Sequence, residues 1–424
     1  MSSRGVWFRT LLGAAAVSLV AACGASASTS SSPSGSSSGK GAIKVAVILP
    51  FTGPEGFIGP AAMQGYNLAL NVINAAGGVL GRPLSYITED TAGDPGDAVT
   101  AVSKAIHVDN AVALLGPTTI TAGASLPEAI AAKEVDIVAG GSTAFDHETS
   151  PYFFRLTVSD GVMAGAMVKY ALSKGWTRAV NVFVEQPAAT SVEGPLAQTY
   201  KAHGGTMLGT VNLAVAQTSY RSAIEKIYAM HPQVIFSQVD PTTAGVLFPE
   251  IQSLGLMNVP WVMTNTADTT QFYQAVGSSI ATDGLISAAQ SISVTGIGAT
   301  TFAKEYEATY HTNNFANNAN NSYDSAMALA LAIDKAGSTN SQAIIKALPE
   351  IANGPGTLTA SYAEAVKLIK EHKPVQFAFS ASAGGFNKYH NVFGPFAILQ
   401  FQSGGSTKTI TQYPASVLKP YSVG

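Results

Sequence analysis

From Ile43 onward, short runs of β-branched residues alternate with stretches of helical spacing, and this alternation constrains the fold more than any other feature. "IKVAVIL" (43–49) has the continuous apolar character of a strand buried on both faces. Residues 60–76 carry helical spacing and stop at Gly77-Gly78, a natural C-cap. "LSYITED" reads as the next strand, and Asp94-Pro95 opens a helix with aspartate at the cap and proline at the first helical position. "AVALLG" (111–116), a helix over 121–133 and "DIVAGG" (136–141) continue the series. After "YFFRLTV" (152–158) it resumes, with Asp160 expected to cap a helix to about Ser173 and "AVNVFV" as a strand. A helix ends near Gly204-Gly205. Helix 218–230, strand 233–239, helix 241–254 and strand 260–265 follow. Repetition of this βαβ kind implies parallel sheets. About ten strands are too many for one comfortable open sheet, so the fold class expected is α/β with two doubly wound parallel-sheet lobes. A late helical region (300–371) and a β-rich tail (375–412) complete the body.

The chain has 424 residues, enough for two domains with real cores. Its formal net charge of −3, with 12% charged residues, gives no electrostatic footprint for nucleic acid. Residues 1–22 read as a processing segment: Arg4 and Arg9 supply positive charge, Thr10 to Val20 is apolar or small, and "LVAAC" ends on Cys23. The run is too short for a stable membrane span. Cys23 is the single cysteine, and its place resembles the lipobox of bacterial lipoprotein signals, in which the cysteine is lipidated and becomes the mature N-terminus. Residues 24–40 are a Ser/Gly-rich tether with a coil span of about 20–25 Å. "GSSSG" (35–39) matches a hydrolase nucleophile elbow in letters only, because the elbow needs a strand before it and a helix after it.

Ligands of doubly wound sheets bind at the carboxyl ends of strands. Three loops there combine glycine with hydroxyls: "PFTGPEGFIG" (50–59), "GPTTITAG" (116–123) and "GGSTAFD" (140–146). They point to a polar or anionic ligand held by backbone and hydroxyl groups. The chemistry of a metal or cofactor enzyme is not evident. The seven histidines are scattered without metal-ligand spacing, and no dinucleotide or phosphate-loop fingerprint follows a strand. Strand-end carboxylates Asp90, Glu185 and Asp240 do not by themselves demand catalysis. The expectation is a binding protein without metal or cofactor.

The stretch "IKVAVILPFTGPEGFIGPAAMQGYNLALNVINAAGGVLGRPLSYITED" resembles the amino-terminal signature of the type 1 periplasmic binding proteins. More narrowly it is similar to the leucine/isoleucine/valine-binding branch that serves ABC importers. The spacing of Gly53, Gly59 and Gly65 and the turn "INAAGGVLGRPL" carry the likeness, with Asp90 and "ALLGP". Further along, "PYFFRLTVSD", "TSYRSAIEKIYAMHPQVIF", "YDSAMALALAIDKAGS" and "SASAGGFNKYHNVFGPFAILQF" extend it over roughly 42–412. The resemblance implies lobes of 42–160 plus 290–391 and 161–289 plus 392–424, joined by three crossovers and closing on a small solute. It also implies a monomer anchored by lipid at the outer face of the cell membrane, delivering the solute to ABC permease subunits.

Site positions implied by the resemblance are mixed. The carboxylate-binding threonine falls on Thr143 and the backbone position on Gly141, beside Ser142. The carboxylate-binding serine position holds Ile120, and the first-loop apolar position holds Ile58. The second-lobe acid aligns with Asn265, with Asp240 near the same space. Isoleucine in place of serine removes a donor, and a buried carboxylate there needs another partner. Thr119, Thr121 or the N–H groups of the turn are the donors on offer. An amino-acid-like or organic-acid solute is therefore expected before a standard branched-chain amino acid. A receptor that reports to a sensor partner, or a secreted enzyme using Glu185 or Asp240, are the competing readings.

Overall fold

The computed structural model describes residues 41–53, 55–291, 296–382 and 385–421. The signal segment, Cys23 and the tether lie outside the described residues. The first sheet contains β1 (Ile43–Leu49), β2 (Leu84–Asp90), β3 (Leu114–Thr118), β4 (Asp136–Ala139) and β5 (Phe153–Phe154). Its order is β2-β1-β3-β4-β5, all parallel. The second sheet takes β6 (Arg178–Val184), β7 (Thr206–Leu213), β8 (Val234–Gln238), β9 (Trp261–Met263) and β10 (Ile286–Gln290). A separate parallel pair is formed by β11 (Thr357–Thr359) and β12 (Val375–Phe377). Antiparallel β13 (Phe396–Phe401) and β14 (Thr407–Tyr413) complete the second sheet in the order β14-β13-β10-β9-β8-β6-β7.

Burial explains why the apolar runs became strands. Val45 through Leu49 are fully buried, and Trp261 to Met263 are as well. Asp94 caps helix Pro95–His107 through Gly96 and Asp97 N–H, as its sequence implies. Three local expectations change. The strand expected at 111–116 runs to Thr118, and its register slips between Leu115 and Thr118, where Pro117 has no N–H for the ladder. The strand expected at 136–141 stops at Ala139. The helix Asp160–Ser173 is capped by Ser159, which accepts from Gly161 N–H, so Asp160 sits inside the first turn with its carboxyl free for other contacts.

The long helix Ala319–Ala336 packs against helix Ile58–Ala75. A Cβ on Gly65 would lie 1.8 Å from the Ala319 carbonyl oxygen, so backbone touches backbone at this crossing. Gly65, read in the sequence as part of a glycine spacing, is therefore a packing residue that sets where residues 317–321 stand.

Candidate functional site

In both sheets a switch in strand order opens a crevice at the carboxyl edge: between β1 and β3 in the first, and between β6 and β8 in the second. The two edges face one cavity of about 100 Å³. This is well under the roughly 300–1,000 Å³ usual for drug-sized ligands, so this conformation admits only a small solute. From the first lobe come Glu55, Phe57 and Ile58 after β1, Thr118 and Thr119 at the end of β3, and Gly141 after β4. From the second come Ala188, Gln238, Asn265, Thr266, Ser291 and Phe396. The connecting segment adds Thr157, Val158, Asp160 and Met163.

The polar wall divides into groups that are used and groups that are not. Thr119 Oγ1 accepts from Gly141 N–H at 2.9 Å, and the Gly141 carbonyl accepts from Asp160 N–H at 2.7 Å. A Cβ on Gly141 would lie 2.1 Å from Asp160 Oδ1, so glycine is needed for the carboxyl to rest there. Ser191 donates to Asp160 Oδ2 at 2.7 Å. Burial pushes Asp160 up to about 6; the Ser191 hydrogen bond and the Arg155 charge oppose this, and Asp146 adds to it. Asn265 Nδ2 donates to Asn317 Oδ1 at 3.2 Å, which ties the segment after β9 to the segment before helix Ala319–Ala336 across the cavity. Asn321 holds the Leu156 carbonyl at 3.1 Å and Asn320 holds that of Ser291 at 2.9 Å, bracing two connecting segments.

Two buried hydroxyls in this wall, Thr118 Oγ1 and Ser291 Oγ, have no hydrogen-bond partner among the described residues. Glu55, 7% exposed, lines the same wall. Burial alone pushes Glu55 up to about 7. Unpaired groups of this kind are costly and uncommon in native interiors, and a ligand resolves the cost. In addition, no side chain caps helix Thr119–Ala132, so its first N–H groups are open donors at the end of β3. No lysine, arginine or histidine lines the cavity among the described residues.

Of the residues singled out in the sequence, Ile58, Thr119, Gly141 and Asn265 line the cavity. Five do not. The helix after β3 begins at Thr119, one residue before the expected tip, which takes the Ile120 side chain off the cavity wall. Thr121 is buried and its hydroxyl bonds back to the Thr118 carbonyl at 3.4 Å. Ser142 spends its side chain capping a single 3₁₀ turn that starts at Thr143, and Thr143 does not line the cavity. Asp240 caps helix Pro241–Ser253, accepting Thr243 N–H at 3.0 Å and Thr243 Oγ1 at 2.6 Å. Glu55, Thr118, Asp160, Gln238, Ser291 and the asparagines of 317–321 were not foreseen. The dense run "NNFANNANN" (313–321), directly before an apolar helical stripe, was the available signal.

Two parallel-sheet lobes meeting at their carboxyl edges around one small cavity are the architecture of a two-lobed binding protein. The family profile described as periplasmic binding protein matches residues 42–382, and the chain belongs to that family. The chain is 25% identical to Leu/Ile/Val-binding protein homolog 3 of Brucella melitensis, over 75% of this chain and 87% of the relative. A crystal structure of a leucine-binding protein from Thermotoga maritima superposes with a TM-score of 0.74 at 17% identity, covering 88% of this chain and 99% of that one. An ABC transporter solute-binding protein from R. palustris, in complex with benzoate, superposes with a TM-score of 0.72 at 19% identity, covering 88% and 97%. Membership in this family makes the chain an extracytoplasmic solute-binding protein of the ABC transporter type. Among the described residues, no helix is long and apolar enough to cross a membrane.

Proposed function

We propose that this protein captures one small amphipathic solute in the cleft and delivers it to the permease of an ABC importer. The observation that carries the reading is the pair of unpartnered, buried Thr118 and Ser291 hydroxyls, with the Glu55 carboxyl beside them, facing one cavity shared by both lobes. Phe57, Ile58, Val158, Met163 and Phe396 supply apolar surface for the body of the solute, and the polar groups hold its end. Leucine is in the name of one structural neighbour and benzoate is bound to another, so this fold by itself leaves the solute open. The side chains of this cleft decide it. Solute contacts with both lobes favour the closed arrangement that Asn265 and Asn317 already bridge.

A panel of amino acids, amines, amides and organic acids, read by thermal shift, tests the reading. A solute present at about 100 times its Kd adds about 2.7 kcal/mol of stability. Thr118→Val and Ser291→Ala keep the ligand-free stability within about 1 kcal/mol of the parent, because each removes an unpaired hydroxyl. Both lose most of the solute-induced shift. A panel that stabilises neither the parent nor the variants overturns the proposal.

The same reading places the protein at the outer face of the cell membrane, held by lipid on Cys23 at the end of the tether, as a monomer with no nucleic-acid partner. Cys23→Ala is expected to release it from the membrane fraction; a variant that stays as firmly bound contradicts the anchor.

A further inference from the structure

We propose that Glu55 is the charge-selecting residue of the cleft, its carboxylate receiving an ammonium or amidinium end of the solute. This rests on the solute-binding reading above and narrows it: acids that lack a cationic group are excluded as the natural solute, including the organic acids expected from the sequence.

Glu55 is in the cavity wall, 7% exposed, with no hydrogen bond to its carboxyl among the described residues. Its position is fixed from behind. Asp90 accepts from Phe51 N–H at 2.8 Å and Thr52 Oγ1 at 2.6 Å, and Ile58 N–H donates to the Glu55 carbonyl at 2.9 Å. The loop is thus tied down on both sides of an acid that has nothing to bind, an arrangement suited to a preorganised recognition group. The cavity's other carboxyl, Asp160, is already paired with Ser191, and behind it Arg155 is engaged by Asp146 and the Ser142 carbonyl. Among the described residues, no basic side chain in the cavity can neutralise Glu55, and no neighbouring charge contributes to its titration. A buried, unpaired carboxylate is costly, and a cation from outside is the partner that removes the cost. The open N–H groups at the start of helix Thr119–Ala132 leave room for a second, electron-rich end on the same solute. Asn265, where the resemblance puts a second-lobe acid, is occupied with Asn317, so the cationic end turns to the first lobe instead.

The test uses the purified protein and matched head groups on two small skeletons: 3-methylbutylamine, leucinamide, leucine and 4-methylpentanoate on one, and benzamidine, benzamide and benzoate on the other. Calorimetry at pH 6 and pH 8 gives the affinities. Members carrying an ammonium or amidinium bind, while the carboxylates of the same skeleton without one do not. Affinity for the cations rises with pH, because Glu55 must lose its proton to receive them. Glu55→Gln, close in shape, is expected to lower cation affinity by about 10- to 100-fold and to flatten its pH dependence. The variant's folding is checked through ligand-free stability. A carboxyl raised by burial stabilises the fold below its ordinary 4.5 and loses that contribution as pH rises through about 7, so the parent weakens more over this range than Glu55→Gln, in which Asp160, Asp268 and Asp324 still titrate. Carboxylates that bind as tightly as their amine counterparts, or binding that tightens as pH falls, overturn the charge assignment and leave solute binding standing. Absence of binding by every head group overturns the solute-binding reading itself.

Discussion

Replacing Arg155 with methionine is expected to lower stability by about 3–5 kcal/mol, the cost of breaking a buried ion pair from one side. Arg155 is 1% exposed and pairs with Asp146, while its Nη1 donates to the Ser142 carbonyl at 2.8 Å. Asp146 in turn accepts from Ser159, the residue that caps helix Asp160–Ser173. The backbone of Arg155 also takes part: its N–H donates to the His390 carbonyl at 3.0 Å, and its own carbonyl accepts from Val392 at 3.3 Å. One guanidinium therefore organises the loop after β4, the start of the helix that enters the second lobe, and the segment returning before β13. Without it, the Asp146 carboxyl and the Ser142 carbonyl lose their buried donor. Adding Asp146→Asn to the methionine variant is expected to recover part of the loss, since removing both charges is milder than stranding one. Urea midpoints measure this, and an Arg155→Met protein as stable as its parent would show that the pair is not needed.

Gly65→Ala and Gly123→Ala are expected to move stability in opposite directions, although both place alanine on a helix. At Gly65 the new methyl would stand 1.8 Å from the Ala319 carbonyl oxygen and 2.7 Å from its carbon, and backbone cannot rotate out of the way as a side chain can. The helices must separate, at a cost of about 3 kcal/mol, toward the upper end for overpacking. The shift also carries Asn317, Asn320 and Asn321 away from Asn265, the Ser291 carbonyl and the Leu156 carbonyl, so solute affinity falls along with stability. Gly123 is exposed on helix Thr119–Ala132 with nothing within 4 Å of a Cβ, and alanine there adds about 0.4–1 kcal/mol by restricting the unfolded chain. Equal effects at the two sites would contradict the close helix crossing.

These two cases show what the sequence could convey. Buried strands such as 43–49 and 234–238 declare themselves by short apolar runs, Val45–Leu49 and Val234–Phe236. β7 does not, since it lies at the sheet edge and only Val211 and Leu213 in it are buried. Strand-end loops rich in glycine follow from the α/β topology and lead to the cavity in outline. Which side chains line it is less legible, for a local reason each time. Starting the helix at Thr119, two residues early, moved Ile120 off the wall, and caps consumed Ser142 and Asp240. Asp160 changed from a cap to a cleft carboxyl because Ser159 took the cap. Glu55 could not be distinguished in the sequence from a solvated loop acid. Only its burial and the lack of a partner in the folded chain mark it.

The most direct measurement is a crystal structure of the protein grown with the most stabilising solute of the panel. The account predicts solute density enclosed between the lobes, within hydrogen-bond distance of Thr118, Ser291 and Glu55, with the Asn265–Asn317 bridge intact. Density for that solute outside the cleft, with Thr118 and Ser291 still unpartnered, would contradict it.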